Sequence, residues 1–299
     1  MVFISIDDSN KDQAQKLISG VPVVLKGLID SAYKESKFLT LTYGSPAVTQ
    51  QGTNRNLILI ISFAAGALLG LLLLFIFEYF SKTINSEEEL KKLNLPILDV
   101  INIKVDSILS ENSEAFNYFR EVRIALQNIT DKKSLFLLGN FDNKTNYILS
   151  ANLAQSFAVI GKTILADADF SNPKLNETFG EMSSKGMAEV INNPQDFDKF
   201  LQETNKENLK FISAGQKLAF PSDSLAKSDL AAVKEKFFEN ADYAIINSPN
   251  FGTDLDLVSW AKISDVVILT VKLGKTKKET LKKALNLLKN KKNYLLVLK

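Results

Sequence analysis

Neither cysteine nor histidine occurs among the 299 residues. Their absence removes thiol nucleophiles, disulfides, Ser-His and Cys-His catalytic arrangements, and zinc or haem sites that need thiolate or imidazole. Any chemistry must run on carboxylates, lysines, hydroxyls and backbone amides. A chain without thiols fits either side of a membrane, so the redox compartment stays open. A strong excess of one charge is also missing. Lys and Arg number 36 against 34 Asp and Glu, a net charge of +2, and no overall basic field argues for nucleic acid. What is present, 45% apolar and 23% charged residues, can bury a core and suits one or two domains.

The longest apolar run divides the chain. Leu57 to Phe77 reads LILIISFAAGALLGLLLLFIF with no charged residue, enough as a helix to cross about 30 Å of hydrocarbon. Its position some way into the chain does not suit a cleaved signal peptide. Gly66 and Gly70 form a small-xxx-small pair, which lets another helix approach closely. Arg55 flanks one end while Lys82, Lys91 and Lys92 follow the other, a balance that favours a cytoplasmic C-terminal side. Tyr79 fits an interfacial anchor.

Residues 1–50 form a short segment on the other side. VFISI and FLTLTY read as strands, and a helical pattern begins near Asp12, interrupted near Gly20 and Pro22. Residues 51–80 are linker and span. Residues 81–130 open with Ser86 and Glu89 at capping-box spacing before EEELKKLN, pass through the apolar PILDVINI, and continue into a second helix from about Glu114 to Asn128. From Lys133 the pattern becomes alternating. SLFLLG, KTILADAD, LKFISAG, YAIINS, VVILTV and NYLLVL are apolar runs of strand length, several of them separated by helical segments. That predicts a parallel sheet with helices on both faces and a ligand site at the carboxyl ends of its strands.

The first of these runs leads into Gly139-Asn140-Phe141-Asp142-Asn143-Lys144-Thr145 and then a helix. Strand, loop ending in Lys-Thr, and helix together make the frame of a phosphate-binding loop, in which amides cradle phosphates and Lys neutralises them. The next strand ends in Asp167-Ala168-Asp169, which by itself reads as a solvated strand end and, with the phosphate-loop frame upstream, as a magnesium site. The lysine-rich stretch from Lys272 to Lys292 carries Leu281, Ala284, Leu285 and Leu288 at helical spacing, as in a helix packed on the sheet with a solvated lysine face. Contact with anionic inner-leaflet lipid or with nucleic acid is the functional alternative. Trp260 reads as a packing residue.

The segment GNFDNKTNYILSANLAQSFAVIGKTILADADFSNPKLNETFG resembles the P-loop and second nucleotide motif of the bacterial tyrosine kinases that partner or form part of polysaccharide co-polymerases. FSKTINSEEELKKLNLPILDVINI resembles that family's juxtamembrane segment and SEAFNYFREVRIAL its interface helix. GSPAVTQQGTNRNLILIISFAAGALLG resembles the last transmembrane helix of the chain-length determinant module, and the first residues resemble part of its extracytoplasmic domain. The resemblance implies an α/β fold: a P-loop NTPase-like parallel sheet with flanking helices over 131–299, preceded by one transmembrane helix and a short extracytoplasmic α/β segment. It also implies an earlier transmembrane helix and a larger extracytoplasmic region before Met1, so that the chain reads as shortened, partial, or half of a split system.

The resemblance assigns roles. Gly139, Asn143, Lys144 and Thr145 would bind nucleotide. Thr145, Asp167 and Asp169 would organise Mg2+ beside ATP, and Asp167 would be the base for a tyrosine hydroxyl. Glu114, Arg120 and Arg123 would form an oligomer interface, although Asn117 stands where an arginine is typical. Three positions depart from the family. Phe141 and Asn143 replace glycines, and a bulky side chain at 141 implies strain of about 1–2 kcal/mol or a displaced loop. Asn247 replaces the Walker B aspartate, keeping an oxygen ligand but losing the charge. Tyr294, inside the last apparent strand, is all that stands in place of a C-terminal tyrosine cluster. These departures lead to the expectation of a homo-oligomeric inner-membrane co-polymerase with a catalytically inactive kinase-like domain in the cytoplasm. Its partners would be a polysaccharide polymerase or export machinery, not nucleic acid. An active tyrosine autokinase or weak ATPase is the alternative, and a nucleotide-sensing or docking module a third reading.

Overall fold

The computed structural model describes residues 11–32, 54–79, 82–131, 133–141, 146–179, 184–251 and 256–299. It divides into two compact units, Met1–Tyr79 and Phe80–Lys299. The expected strands VFISI and FLTLTY lie outside the described residues.

In the first unit, α1 (Lys11–Ala32) runs unbroken through Pro22. This corrects the expected interruption: a single proline removes one backbone bond, and the residues on either side hold the helix. Helix α2 (Arg55–Tyr79) contains the apolar run. Its stretch Arg55–Leu73 has mean hydropathy 2.4 and none of it is covered by protein. An uncovered apolar surface of this length is what a membrane span presents.

The second unit is built on one sheet of eight strands in the order β1-β8-β7-β2-β6-β3-β5-β4. The strands are β1 (Ile97–Ile101), β2 (Ser134–Asn140), β3 (Thr163–Asp167), β4 (Gln202–Glu203), β5 (Leu209–Ile212), β6 (Tyr243–Asn250), β7 (Val266–Lys272) and β8 (Asn293–Leu298). All neighbours pair in parallel except the short edge strand β4, which runs antiparallel to β5. Central strands buried on both faces read as continuous apolar runs. β2 shows why: Leu135 and Leu137 enter one core cluster while Phe136 and Leu138 enter the other.

Helices α4 (Asn117–Gln127) and α5 (Asn146–Ala158) supply the second cluster through Phe119, Val122, Leu126, Leu153 and Phe157. On the opposite face, α7 (Met187–Val190), α8 (Pro221–Lys227), α9 (Leu230–Asn240), α10 (Asp256–Ile263) and α11 (Lys278–Leu287) supply the first, with Met187, Leu225, Phe237, Trp260 and Leu281. Trp260 is fully buried, as its place in an apolar helical pattern predicts. The two remaining short helices are α3 (Glu87–Lys91) and α6 (Leu175–Phe179).

One local expectation is corrected at α3. Ser86 occupies the N-cap position but makes no side-chain cap bond. Glu89 reaches back instead to the amide of Asn85 at 3.4 Å and pairs with Lys278 at 3.1 Å. Its carboxylate therefore ties α3 to α11 rather than closing a box with serine.

Candidate functional site

Parallel strands carry their loops to one edge, and there β2, β3 and β6 lie side by side. β3 pairs with β6 so that Asp167 faces Asn247 directly. Helix α5 begins with Asn146, and Ser150 lies one turn on, so both project from the same face. Sequence reasoning placed Asp167, Asp169 and Asn247 here; it missed Asn146 and Ser150. The sequence held no clear signal, since α5 also carries Asn152, Gln155 and Ser156, all buried in the structure.

The four side chains form one buried network. Asn247 donates from Nδ2 to Asp167 Oδ1 at 2.9 Å. A carboxylate accepts, so the amide nitrogen must face it and the amide oxygen must face away. That oxygen accepts from Asn146 Nδ2 at 2.9 Å and from Ser150 Oγ at 3.2 Å. Asp167 also receives the backbone amides of Asp169 at 3.1 Å and Leu175 at 3.3 Å. Asp167 and Ser150 are fully buried and Asn146 and Asn247 nearly so. Burial pushes the Asp167 carboxyl up from 3.8 to about 7; the hydrogen bond from Asn247 and the two amides oppose this only in part.

The neighbouring cleft is small, about 10 Å³, and Asn140, Asn146, Asp169, Lys174 and Asn247 are among its walls. The side-chain oxygens of Asn140 and Asn146 are buried with no partner among the described residues. Asp169 accepts from the amide of Asn172 at 2.9 Å, closing the turn after β3.

Asn143, Lys144 and Thr145 lie outside the described residues. Gly139 and Phe141 have structural explanations of their own. A Cβ at Gly139 would overlap Cδ1 of Leu257, so a side chain there would need the end of that leucine on α10 to move. Phe141 does not have the left-handed backbone that would favour glycine. Its ring is half-buried against the core and meets Phe251 edge-on, with centroids 6.0 Å apart. Of the two consequences expected at Phe141, strain or a displaced loop, left-handed backbone strain is not seen, and residues 142–145 of the loop lie outside the described residues. The expectation that Asn247 keeps an oxygen for a metal is corrected, because Asn146 and Ser150 occupy it. Pairing of β2 and β6 continues past the site, with Asn140 opposite Asn250 and the amide of Phe251 bonded to Asn140 O at 2.9 Å.

Magnesium takes hard, charged oxygens. Here Asp167 and Asp169 are the carboxylates present, the position opposite Asp167 on β6 is the amide Asn247, and both oxygens of Asp167 already accept N–H groups.

The expected interface residues are held within their own chain. Arg120 donates to Asn117 Oδ1 at 2.7 Å and Glu111 O at 2.8 Å and lies over the Phe116 ring at 5.3 Å. Arg123 donates to Ser156 O, and partial burial lowers its pKa. Glu114 is exposed.

No family model matches the chain. Among proteins of similar sequence, CapB of Staphylococcus aureus is 30% identical over 185 residues, covering 61% of this chain and 81% of CapB. The tyrosine-protein kinase CpsD of Streptococcus agalactiae serotype III (strain NEM316) is 28% identical over 60% of this chain and 79% of its own. Among solved structures, the kinase domain of the Escherichia coli tyrosine kinase ETK superposes with a TM-score of 0.64 at 17% identity, over 72% of this chain and 96% of its own. The chimerical protein CapA2B2 gives 0.62 at 22%, over 71% and 98%; at these identities the likeness concerns the fold. Shared sequence over most of CapB, together with the P-loop kinase sheet and its Asp167 strand end, places the chain in the bacterial tyrosine kinase family to which CapB and CpsD belong.

Proposed function

We propose that the protein is a membrane-anchored polysaccharide co-polymerase whose kinase-like unit regulates chain length or export of a surface polysaccharide without phosphoryl transfer. The observation that carries this reading is the closed network at Asp167. In a working site two acids would hold a magnesium ion between them and the nucleotide; here Asn247 and two backbone amides donate to Asp167, and Asn146 and Ser150 donate to Asn247. Hydrogen bonds from within the chain thus take up the oxygens of Asp167 and Asn247 that a cation would use. Phe141 and Phe251 meet edge-on, and by the family resemblance a glycine stands at the position of Phe141.

On this reading the chain sits in the bacterial inner membrane, anchored by the apolar helix α2, with the kinase-like unit in the cytoplasm. The polymerase or export machinery is the partner, and homo-oligomers form through the α4 region around Glu114, Arg120 and Arg123. ATP and Mg2+, the ligands of catalytic relatives, would meet Lys144 and Thr145 if they bound.

The test is calorimetric titration of the full chain in detergent with Mg-ATP. The expected result is no heat attributable to binding at micromolar nucleotide; saturable binding that Lys144→Ala abolishes would overturn the proposal. One feature supports the second reading, an active tyrosine kinase: a carboxyl titrating near 7 is well poised as a general base. Autophosphorylation that disappears in Asp167→Asn would establish it.

A further inference from the structure

The lysine-rich stretch before and within α11 is not used by the site at Asp167. Nine lysines and a single acid, Glu279, fall between Lys272 and Lys292. The structure divides them by position. α11 buries Leu281, Ala284 and Leu288 against the sheet, while Lys282 and Lys283 stay exposed. The turn that leads into it carries Lys275 and Lys277, both exposed. Gly274 makes that turn possible with φ 75°, a backbone state that a side chain disfavours.

This turn is bonded to the segment that leaves the apolar helix. Ile84 N donates to Thr276 O at 2.9 Å, Gly274 N to Ile84 O at 2.8 Å and Lys278 N to Lys82 O at 2.9 Å. Thr83 and Lys277 form an antiparallel bridge. The ion pair of Lys278 with Glu89 fastens the same place to α3. Only residues 80 and 81 lie between the end of α2 at Tyr79 and Lys82, so the three peptide steps span at most about 11 Å. That exceeds one Debye length, about 8 Å at physiological salt, by only a few ångström. Chain length alone ties Lys82 to the end of α2, and the turn is bonded to the segment that Lys82 begins.

We propose that Lys82, Lys275, Lys277 and Lys282 form a docking surface for a bilayer containing anionic phospholipid. The proposal rests on α2 being a membrane span. The chemistry favours lipid over nucleic acid. These are flexible point charges with no aromatic ring among them for stacking on bases, and juxtamembrane lysines are drawn to anionic headgroups.

The absence of cysteine makes the test direct. Glu279→Cys, which keeps every lysine, takes a single fluorophore beside the patch. Lys162→Cys takes one just before β3, at the opposite end of the parallel strands. Each labelled full-length chain is reconstituted in nanodiscs of phosphatidylcholine, or of phosphatidylcholine with about 30 mol% phosphatidylglycerol, carrying a headgroup-attached quencher. We expect quenching at position 279 at least about three-fold stronger in the anionic discs, abolished in about 1 M salt, where the Debye length is about 3 Å. The label at 162 should not change, and Lys82→Gln/Lys275→Gln/Lys277→Gln should remove the difference. Equal quenching at 279 in both discs, or a difference that the triple variant retains, overturns the docking surface. A difference that added RNA erases while the discs stay intact overturns lipid as the occupant. Flotation of the same chain with neutral vesicles separates the two premises: a chain that does not co-float overturns the span itself, whereas one that co-floats without the anionic effect overturns only the patch.

Discussion

At Asn247 one atom decides whether the site needs a cation. An aspartate there would set two carboxylates about as close as the present 2.9 Å hydrogen bond and would also lose the donor to Asp167. Like charges in a buried place cannot both ionise without a counter-ion. Asn247→Asp is therefore expected to lower stability by about 2 kcal/mol or more in metal-free buffer at pH 8. Millimolar magnesium should recover much of that loss in the variant and leave the wild type unchanged. Thermal unfolding with and without magnesium checks this; a magnesium-dependent melting temperature in the wild type would contradict it. Asp167 itself makes a pH prediction. Its folded-state value near 7 against 3.8 means that the folded chain keeps a proton that the unfolded chain releases. Stability from this group is thus present at acid pH, declines as pH rises from about 4 to about 7, and is flat above. The shift sets an upper limit of about 4 kcal/mol. Melting temperatures of wild type and Asp167→Asn between pH 4.5 and 8.5 should converge in slope only above pH 7, the wild type falling more steeply below it.

Elements differ in how far the sequence alone revealed them. The parallel strands were legible because burial on both faces leaves an unmistakable apolar run, and α11 because its apolar positions recur at helical spacing. The two-residue strand β4 was not, since an edge strand that pairs on one side needs no apolar signature. Helix α1 was read as broken at Pro22 because local propensity cannot show that neighbouring turns hold. At the site, Asp167 and Asn247 could be read from strand ends, but Asn146 and Ser150 acquire meaning only when α5 is laid against β6. Gly139 is the clearest case of a residue whose role changes at this scale. Its sequence position suggests phosphate approach, and the structure adds a close contact with Leu257 of α10. Gly139→Ala should then destabilise the unit by about 1–3 kcal/mol through overpacking on Leu257, whether or not nucleotide is present. Chemical denaturation with and without Mg-ATP measures this, and a loss of stability seen only with nucleotide present would assign the glycine to a ligand instead.

Across the whole molecule the forces separate at the boundary between the units. Every member of both core clusters falls between Ile84 and Leu298, and β1, from the segment just past the apolar helix, closes the sheet edge against β8. The ion pair of Lys299 with Glu87 at 2.8 Å brings the last residue to α3, although an exposed pair of this kind adds little by itself. A unit that contains its complete core needs no hydrophobic contact from elsewhere to fold. Residues 82–299, expressed alone without the apolar helix, are therefore expected to be soluble and to unfold in one cooperative transition. Their melting temperature should lie within about 3 °C of the corresponding transition of the full chain, a difference of under about 1 kcal/mol for a unit of this size. A fragment beginning at residue 105 removes β1 together with Ile84, Leu90 and Ile101, three fully or almost fully buried side chains. It also exposes the edge of β8, which would then be free to pair with other chains. That shorter fragment should aggregate or melt at least about 10 °C lower, since burial of each large aliphatic side chain contributes about 1.5–3 kcal/mol. Calorimetry on the pair decides the point: equal stability of the two fragments would show that the segment from 82 to 104 belongs to the membrane-proximal part and not to the kinase-like core.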